Sequence, residues 1–269
     1  AFLIKAVLPI NIISSAGEAF SSESAYGMLI VFIISALYYA VSLILLSALT
    51  RGWQSREKFR SVFIDVIVFA NVGFIGFPIL GELYGSAGTL YTVAYNISYQ
   101  LFFFSYGLFL LEGKGKLSLR SLFGNSAIYV SIGSILLYLS GLRFPEFFQS
   151  TLTAVGGMMS PISMIIIGCE IANMDIRVIM KDRYSYLVSA SRLLIVPLIL
   201  APVLKVVGIS GTVATTAVLL SALPSGSLTV IMAQGMGDDT AFGARAVAQS
   251  TLLMLVTLPV IFLLTGLLF

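Results

Sequence analysis

Nine long apolar blocks succeed one another along the chain: residues 2–17, 27–49, 62–83, 88–111, 122–141, 147–173, 184–206, 212–234 and 240–268. About 20 consecutive apolar residues carry a helix across a bilayer, so the pattern predicts nine spans joined by short polar loops. The charges fall between them. Arg51, Arg56, Lys58 and Arg60 fill one loop, Lys114, Lys116 and Arg120 a second, and Arg177, Lys181 and Arg183 a third. Two spans separate each from the next, so all three lie on one side, which the positive-inside rule makes cytoplasmic. The loops between them hold Glu18 and Glu23, Arg143 and Glu146, or Lys205 alone. The first span then starts inside, and Phe269 ends outside.

One block is interrupted where the bilayer demands regular helix. Asn71-Val-Gly-Phe-Ile-Gly-Phe-Pro78 holds two glycines and a proline. Gly costs about 1 kcal/mol and Pro about 3 kcal/mol relative to Ala in a helix interior. Backbone groups freed in lipid cost several kcal/mol each unless protein or a watery cavity satisfies them. The break is therefore a candidate binding site. A second lies at Ser221-Ala-Leu-Pro-Ser-Gly-Ser227, about 150 residues on.

The breaks belong to an internal echo. Pro9-Ile-Asn in the first block matches Pro161-Ile-Ser in the sixth, each followed by small residues and an acid, Glu18 or Glu170. Five spans separate equivalent elements, and an odd number inverts the second copy in the membrane. Inverted repeats with a broken helix in each half point to a secondary transporter. The first repeat has four spans and the second five, so a helix preceding Ala1 is expected in the complete protein.

Composition narrows the classes. Hydrophobic residues make up 58% and charged residues 10%, with a mean hydropathy of +1.03. A water-soluble domain carries about 25% charged residues. The net charge of +3 is small, and nucleic-acid binding is not expected. The lone Cys169 reads as a packing residue, and the absence of histidine removes the commonest metal ligand and acid–base group. No phosphate-cradling Gly-x-x-x-x-Gly-Lys-Ser/Thr motif occurs, and Ser225 has no visible base. Neither an enzyme, a cofactor nor a metal site is expected.

The Asn71–Pro78 segment, the stretch from Pro161 to Gly168, Ala222-Leu-Pro-Ser-Gly226 and the closing Thr257-Leu-Pro259 resemble the auxin efflux carrier family. That family spans plant auxin carriers and bacterial proteins often assigned to malonate or malate transport. The resemblance implies an all-α integral membrane fold of two inverted five-helix repeats with crossed broken helices, like the bile-acid symporters and cation–proton antiporters. The first of the ten helices is absent from this chain. It also implies a scaffold domain (1–20 and 114–180), a moving transport domain (21–113 and 181–269) and a homodimer. The loop at 112–121 lacks the long insert of the plant carriers, which favours a prokaryotic member in the cytoplasmic (inner) membrane and puts auxin itself in doubt as the natural substrate.

Specific residues fit anion binding. Gly73 and Gly76 let a ligand or the other break approach the backbone, and Pro78 suits the start of a second half-helix. That start carries about half a positive charge, and its free N–H groups suit a carboxylate. Asn71 and Val72 precede it, and Leu223, Pro224, Ser225, Gly226 and Ser227 form the opposing break. Asn96 and Gln100 share one face of the following span, and Gln249 lies in the last. These amides either bond across helices or line a cavity. Asp65 and Arg192 lie at matching depths, so they form either an ion pair or a coupling site; Glu170 is another partner for Arg192. Glu82 and Arg245 read as interfacial, and Asp238 and Asp239 as caps of the last helix.

The expected function is secondary active or facilitative transport of small organic anions (carboxylates, auxin-like or dicarboxylate) by an elevator-type alternating-access movement. A proton or sodium is the candidate coupling ion. The alternatives are a ligand-binding receptor on a transporter-like fold, a sodium-coupled symporter, or a cation–proton antiporter. The last needs a midplane carboxylate, and near that depth the chain offers Asn71, Asn96 and serines.

Overall fold

The computed structural model describes residues 6–17, 21–112, 126–172, 175–236 and 240–269. Glu18, Lys114, Lys116, Arg120, Asp238 and Asp239 lie outside them, as do the side chains of Arg56 and Glu170. Among the described residues the chain is helical and has no strand.

Helix α1 (Leu8–Ala16) has Pro9 in its first turn, where the missing N–H costs nothing. Helix α2 (Ser22–Leu49) begins earlier than the apolar block, because Ser21 caps it: the Ser21 hydroxyl accepts from Ser24 N–H at 3.4 Å. Its sides divide by helical spacing. Val31, Ile34, Tyr39 and Leu43 are buried, whereas Leu29, Ile33, Leu37, Val41 and Ile44 are exposed. A continuous apolar outer stripe is what lipid, and not water, tolerates.

The interrupted block becomes α3 (Glu57–Val68), a π turn at Val72–Gly76, and α4 (Phe77–Phe102). The expected boundary between the third and fourth spans falls inside α4 as a sharp turn at Gly85, with φ +58° and ψ −139°. Only glycine adopts that backbone without strain. A Cβ on nearby Gly88 would lie 2.0 Å from the Leu80 carbonyl oxygen, so the chain doubles back too tightly for a side chain. A second π turn (Phe103–Gly107) leads to α5 (Leu108–Glu112).

After α6 (Ser126–Ser140) come α7 (Glu146–Gly156) and α8 (Met159–Ala172). Helix α7 packs on α1. Asn11 Nδ2 donates to the Gly156 carbonyl at 3.2 Å, Ser14 and Thr153 hydroxyls meet at 3.0 Å, and Gln149 Nε2 donates to the Ser14 carbonyl at 3.0 Å. The short α9 (Ile176–Ile179) precedes α10 (Arg183–Ala190), a π turn at Ser191–Ile195 and α11 (Val196–Val207). The second interrupted block forms α12 (Gly211–Ser221) and α13 (Ser227–Met236), and the chain closes with α14 (Thr240–Leu268).

Among the described residues, four apolar helical stretches are long enough to cross a bilayer: Ser22–Leu49, Glu146–Cys169, Arg183–Val207 and Thr240–Leu268. The centre of the molecule is aromatic. Tyr39 and Phe69 stack with ring centres 5.6 Å apart, and Tyr95, Tyr99, Phe102 and Phe103 pack around the pair.

Candidate functional site

The two interruptions touch. Ala70 and Ser225 form an isolated antiparallel bridge, in which Asn71 N–H donates to the Pro224 carbonyl and Gly226 N–H to the Phe69 carbonyl, each at 2.9 Å. A Cβ on Gly226 would stand 3.0 Å from the Ala70 oxygen, so a side chain here would have to push the two breaks apart by a few tenths of an ångström. On Gly76 a Cβ would meet Leu220 and Leu223 side chains at 3.0 and 3.1 Å. Nothing lies within 4 Å of a Cβ on Gly73.

A helix that stops inside the molecule leaves its last carbonyls without intrahelical partners. Here each finds another. At the end of α3, the Val66 carbonyl accepts from the Ser225 hydroxyl at 2.6 Å and the Ile67 carbonyl from Arg192 Nη1 at 2.5 Å. The Val68 carbonyl accepts from Tyr38 Oη at 3.1 Å and the Phe69 carbonyl from Gly226. At the second break Arg192 Nε donates to the Leu223 carbonyl at 2.6 Å, and Ser225 N–H to the Ser250 hydroxyl at 3.1 Å. Arg192 is fully buried and its Nη2 has no hydrogen-bond partner. One guanidinium thus holds the carbonyl ends of α3 and of the α12 side together. Charge-assisted bonds of this kind are about twice as strong as neutral ones.

The helix-starting ends are less enclosed. The Asn71 side-chain oxygen accepts from Phe74 N–H at 3.2 Å, capping the π turn. Asn71 and Asn96 are each 8% exposed, and Gly73 and Ser227 are half-buried. Val72, Pro78, Leu223, Pro224 and Ser225 are buried, the last with its hydroxyl committed. Gln249 lies elsewhere: it accepts from the Ser189 hydroxyl and donates to the Ile179 carbonyl, both at 3.2 Å. It ties α14 to α9 and α10 instead of joining the bridge. Asp65 is fully buried one turn before the end of α3. Arg245 pairs with Asp182 at 2.9 Å, joining the start of α14 to the start of α10.

A cavity of about 200 Å³ opens along the first half of α4. Asn11, Ser14 and Ser15 of α1 form one wall, Phe77 to Thr89 of α4 another, and Thr153 to Ser160 of the α7–α8 junction the third. Of the expected site residues, Pro78 alone lines it, at the start of the second half-helix; Glu82, read from the sequence as interfacial, also lines it. Sequence reasoning missed Tyr38, Phe69 and Ser250 at the bridge and Asn11 in the cavity. Asn11 carried a signal, as a polar residue next to proline in the first apolar block; the others look like ordinary span residues.

Comparison with known proteins decides the class. The family model for membrane transport proteins, which covers the auxin efflux carriers, matches residues 1–120 and 113–262. The chain belongs to this family. A protein of Methanothermobacter thermautotrophicus described as an uncharacterized transporter is 28% identical over 193 residues, which is 70% of this chain. The chain spans 63% of that relative's length in the match. Family membership and the long apolar helices make it an integral membrane protein of a transport family.

Proposed function

We propose that this membrane transport protein is a secondary carrier for small organic anions, carboxylates foremost. The observation that carries the reading is the junction of the two interruptions, with a fully buried arginine holding both carbonyl ends. Each half-helix start beyond the junction carries about half a positive charge. With Arg192 behind them, the buried amides of Asn71 and Asn96 and the half-buried Gly73 and Ser227 would lie in a field suited to a carboxylate. Asp65, two residues before the Ile67 carbonyl, supplies the compensating negative charge as partner of Arg192. No groups of three or more His, Cys, Asp or Glu side chains gather among the described residues as a metal site would require.

On this reading the broken helices cross as the centres of two inverted repeats. The cavity separates parts of the two expected domains: α1 and the α7–α8 junction belong to the scaffold, and α4 to the transport domain. Its polar lining of serines, threonines and Asn11 suits a wet passage to the half-helix start at Pro78. Sliding of α4 and its neighbours along that seam would carry the anion from one face to the other, an elevator-type movement.

The test is uptake of radiolabelled mono- and dicarboxylates, including indole acids, by proteoliposomes, preceded by a thermal-shift screen for ligands. Asn71→Ala should weaken anion binding about tenfold, the loss of one good polar contact, and Pro224→Ala should weaken it by relaxing the fixed backbone of the second break. Unchanged affinity in both folded variants rejects the junction as the site. Tight binding without flux under any ion gradient rejects the carrier and leaves a receptor.

A further inference from the structure

The carbonyl ends of two interrupted helices converging on one point make a cation site, because each end carries about half a negative charge. Carriers built on broken helices use unwound carbonyls and half-helix C-terminal ends of this kind to hold a coupling sodium ion. In this chain the point is already filled. Arg192 Nε lies 2.6 Å from the Leu223 oxygen and Nη1 2.5 Å from the Ile67 oxygen, and the side chain is fully buried. The neighbouring acceptors are also taken: Val66 by Ser225, Val68 by Tyr38, Phe69 by Gly226 and Pro224 by Asn71.

We infer that Arg192 is a tethered cation: it occupies the place of a mobile coupling ion at the junction and makes the protein independent of sodium there. A guanidinium suits this task. Its planar fork reaches two carbonyls in fixed directions. A sodium ion entering the same space would find the Ile67 and Leu223 oxygens already engaged and a like charge beside them. The arginine therefore keeps a tethered cationic group at the junction at all times, whereas a mobile ion is there only while bound. This deepens the anion-carrier reading and rests on it for the link to transport, although the occupancy of the cation site stands on the geometry alone.

Removing the side chain should recreate the vacant site. In detergent at constant ionic strength, wild-type protein should melt at one temperature in sodium, lithium or choline chloride. Arg192→Ala should melt lower, and sodium, lithium or sub-denaturing guanidinium should raise its melting point relative to choline. The rise should be about 3–5 °C when the cation stands tenfold above its dissociation constant. Arg192→Lys, which keeps a charge on a tether, should resemble the wild type in its indifference to sodium. It serves as the readout should the alanine variant not fold. Sodium-specific stabilisation of the wild type or of Arg192→Lys overturns the inference, as does a folded Arg192→Ala without any cation-specific gain. In proteoliposomes, wild-type carboxylate uptake should be equal with sodium or choline outside. An absence of uptake in every gradient instead strikes at the carrier reading and leaves the melting comparison intact.

Discussion

Replacing Gly226 by alanine tests the junction most directly. The added Cβ would lie 3.0 Å from the Ala70 oxygen, 3.3 Å from the Ala70 carbonyl carbon and 3.4 Å from the Phe69 oxygen. All three are backbone atoms, and the Phe69 oxygen is the acceptor of Gly226's own N–H. No side chain can turn away, so relief requires the two breaks to part by a few tenths of an ångström. Overpacking of this kind costs about 1–3 kcal/mol, and weakening a buried hydrogen bond adds about 0.5–1.5 kcal/mol. Their sum, about 2–4 kcal/mol, should lower the melting temperature by about 5–10 °C for a chain of this size. Gly73→Ala is the control, because its Cβ meets nothing within 4 Å, and it should melt within about 2 °C of the wild type. The assay is thermal unfolding in detergent followed by intrinsic fluorescence. If Gly226→Ala melts with the wild type, or if both variants fall equally, the close backbone approach is not what holds the junction.

Two more outcomes follow from side chains away from the junction. Burial pushes the Asp182 carboxyl up, but its hydrogen bond from Arg245, the Tyr184 N–H and the Arg245 charge outweigh this and hold it below its usual value. A carboxyl lowered by folding contributes stability that is present above its unfolded value of about 3.9 and lost as pH falls through the folded one. Asp182→Asn should therefore cost about 1 kcal/mol at neutral pH, discounted for a pair whose arginine is 34% exposed. The gap in melting temperature to the wild type should close below about pH 4, and a gap constant with pH would argue against the ion pair. Gln249→Leu leaves the Ile179 carbonyl and the Ser189 hydroxyl without this partner, at about 1–3 kcal/mol for each buried group. It should melt lower yet bind carboxylate normally, and a folded variant that fails to bind would return Gln249 to the substrate site.

Much of this was legible in the pattern of residues. The last apolar block, expected at 240–268, is the helix Thr240–Leu268, because its one interior proline, Pro259, falls within an otherwise strongly apolar run. Both interruptions fall where glycine and proline cluster. One boundary moved where capping intervened, at Ser21, which starts α2 before its apolar block, whereas the expected division between the third and fourth blocks is the sharp turn at Gly85. Two polar residues within one residue of each other diverged in fate. Ser250 supports the junction, whereas Gln249 points toward α9 and α10. Neighbours on a helix differ by about 100° in direction, and only packing tells which direction meets what.

The sequence alone determined that the chain is helical, that it belongs in a bilayer and that two of its helices are broken. Those properties are local: a bilayer demands unbroken apolar blocks, and glycine and proline break helices wherever they stand. What becomes of the freed backbone groups was decided only in three dimensions. The carbonyls ending α3 are satisfied from Tyr38, Arg192 and Ser225, which lie 30, 125 and 159 residues away from their acceptors. No periodicity reaches across such distances. An arginine in an apolar block announces that a buried charge needs partners, but the fold chose backbone carbonyls from both breaks, because those were the buried acceptors that the interruptions had left open.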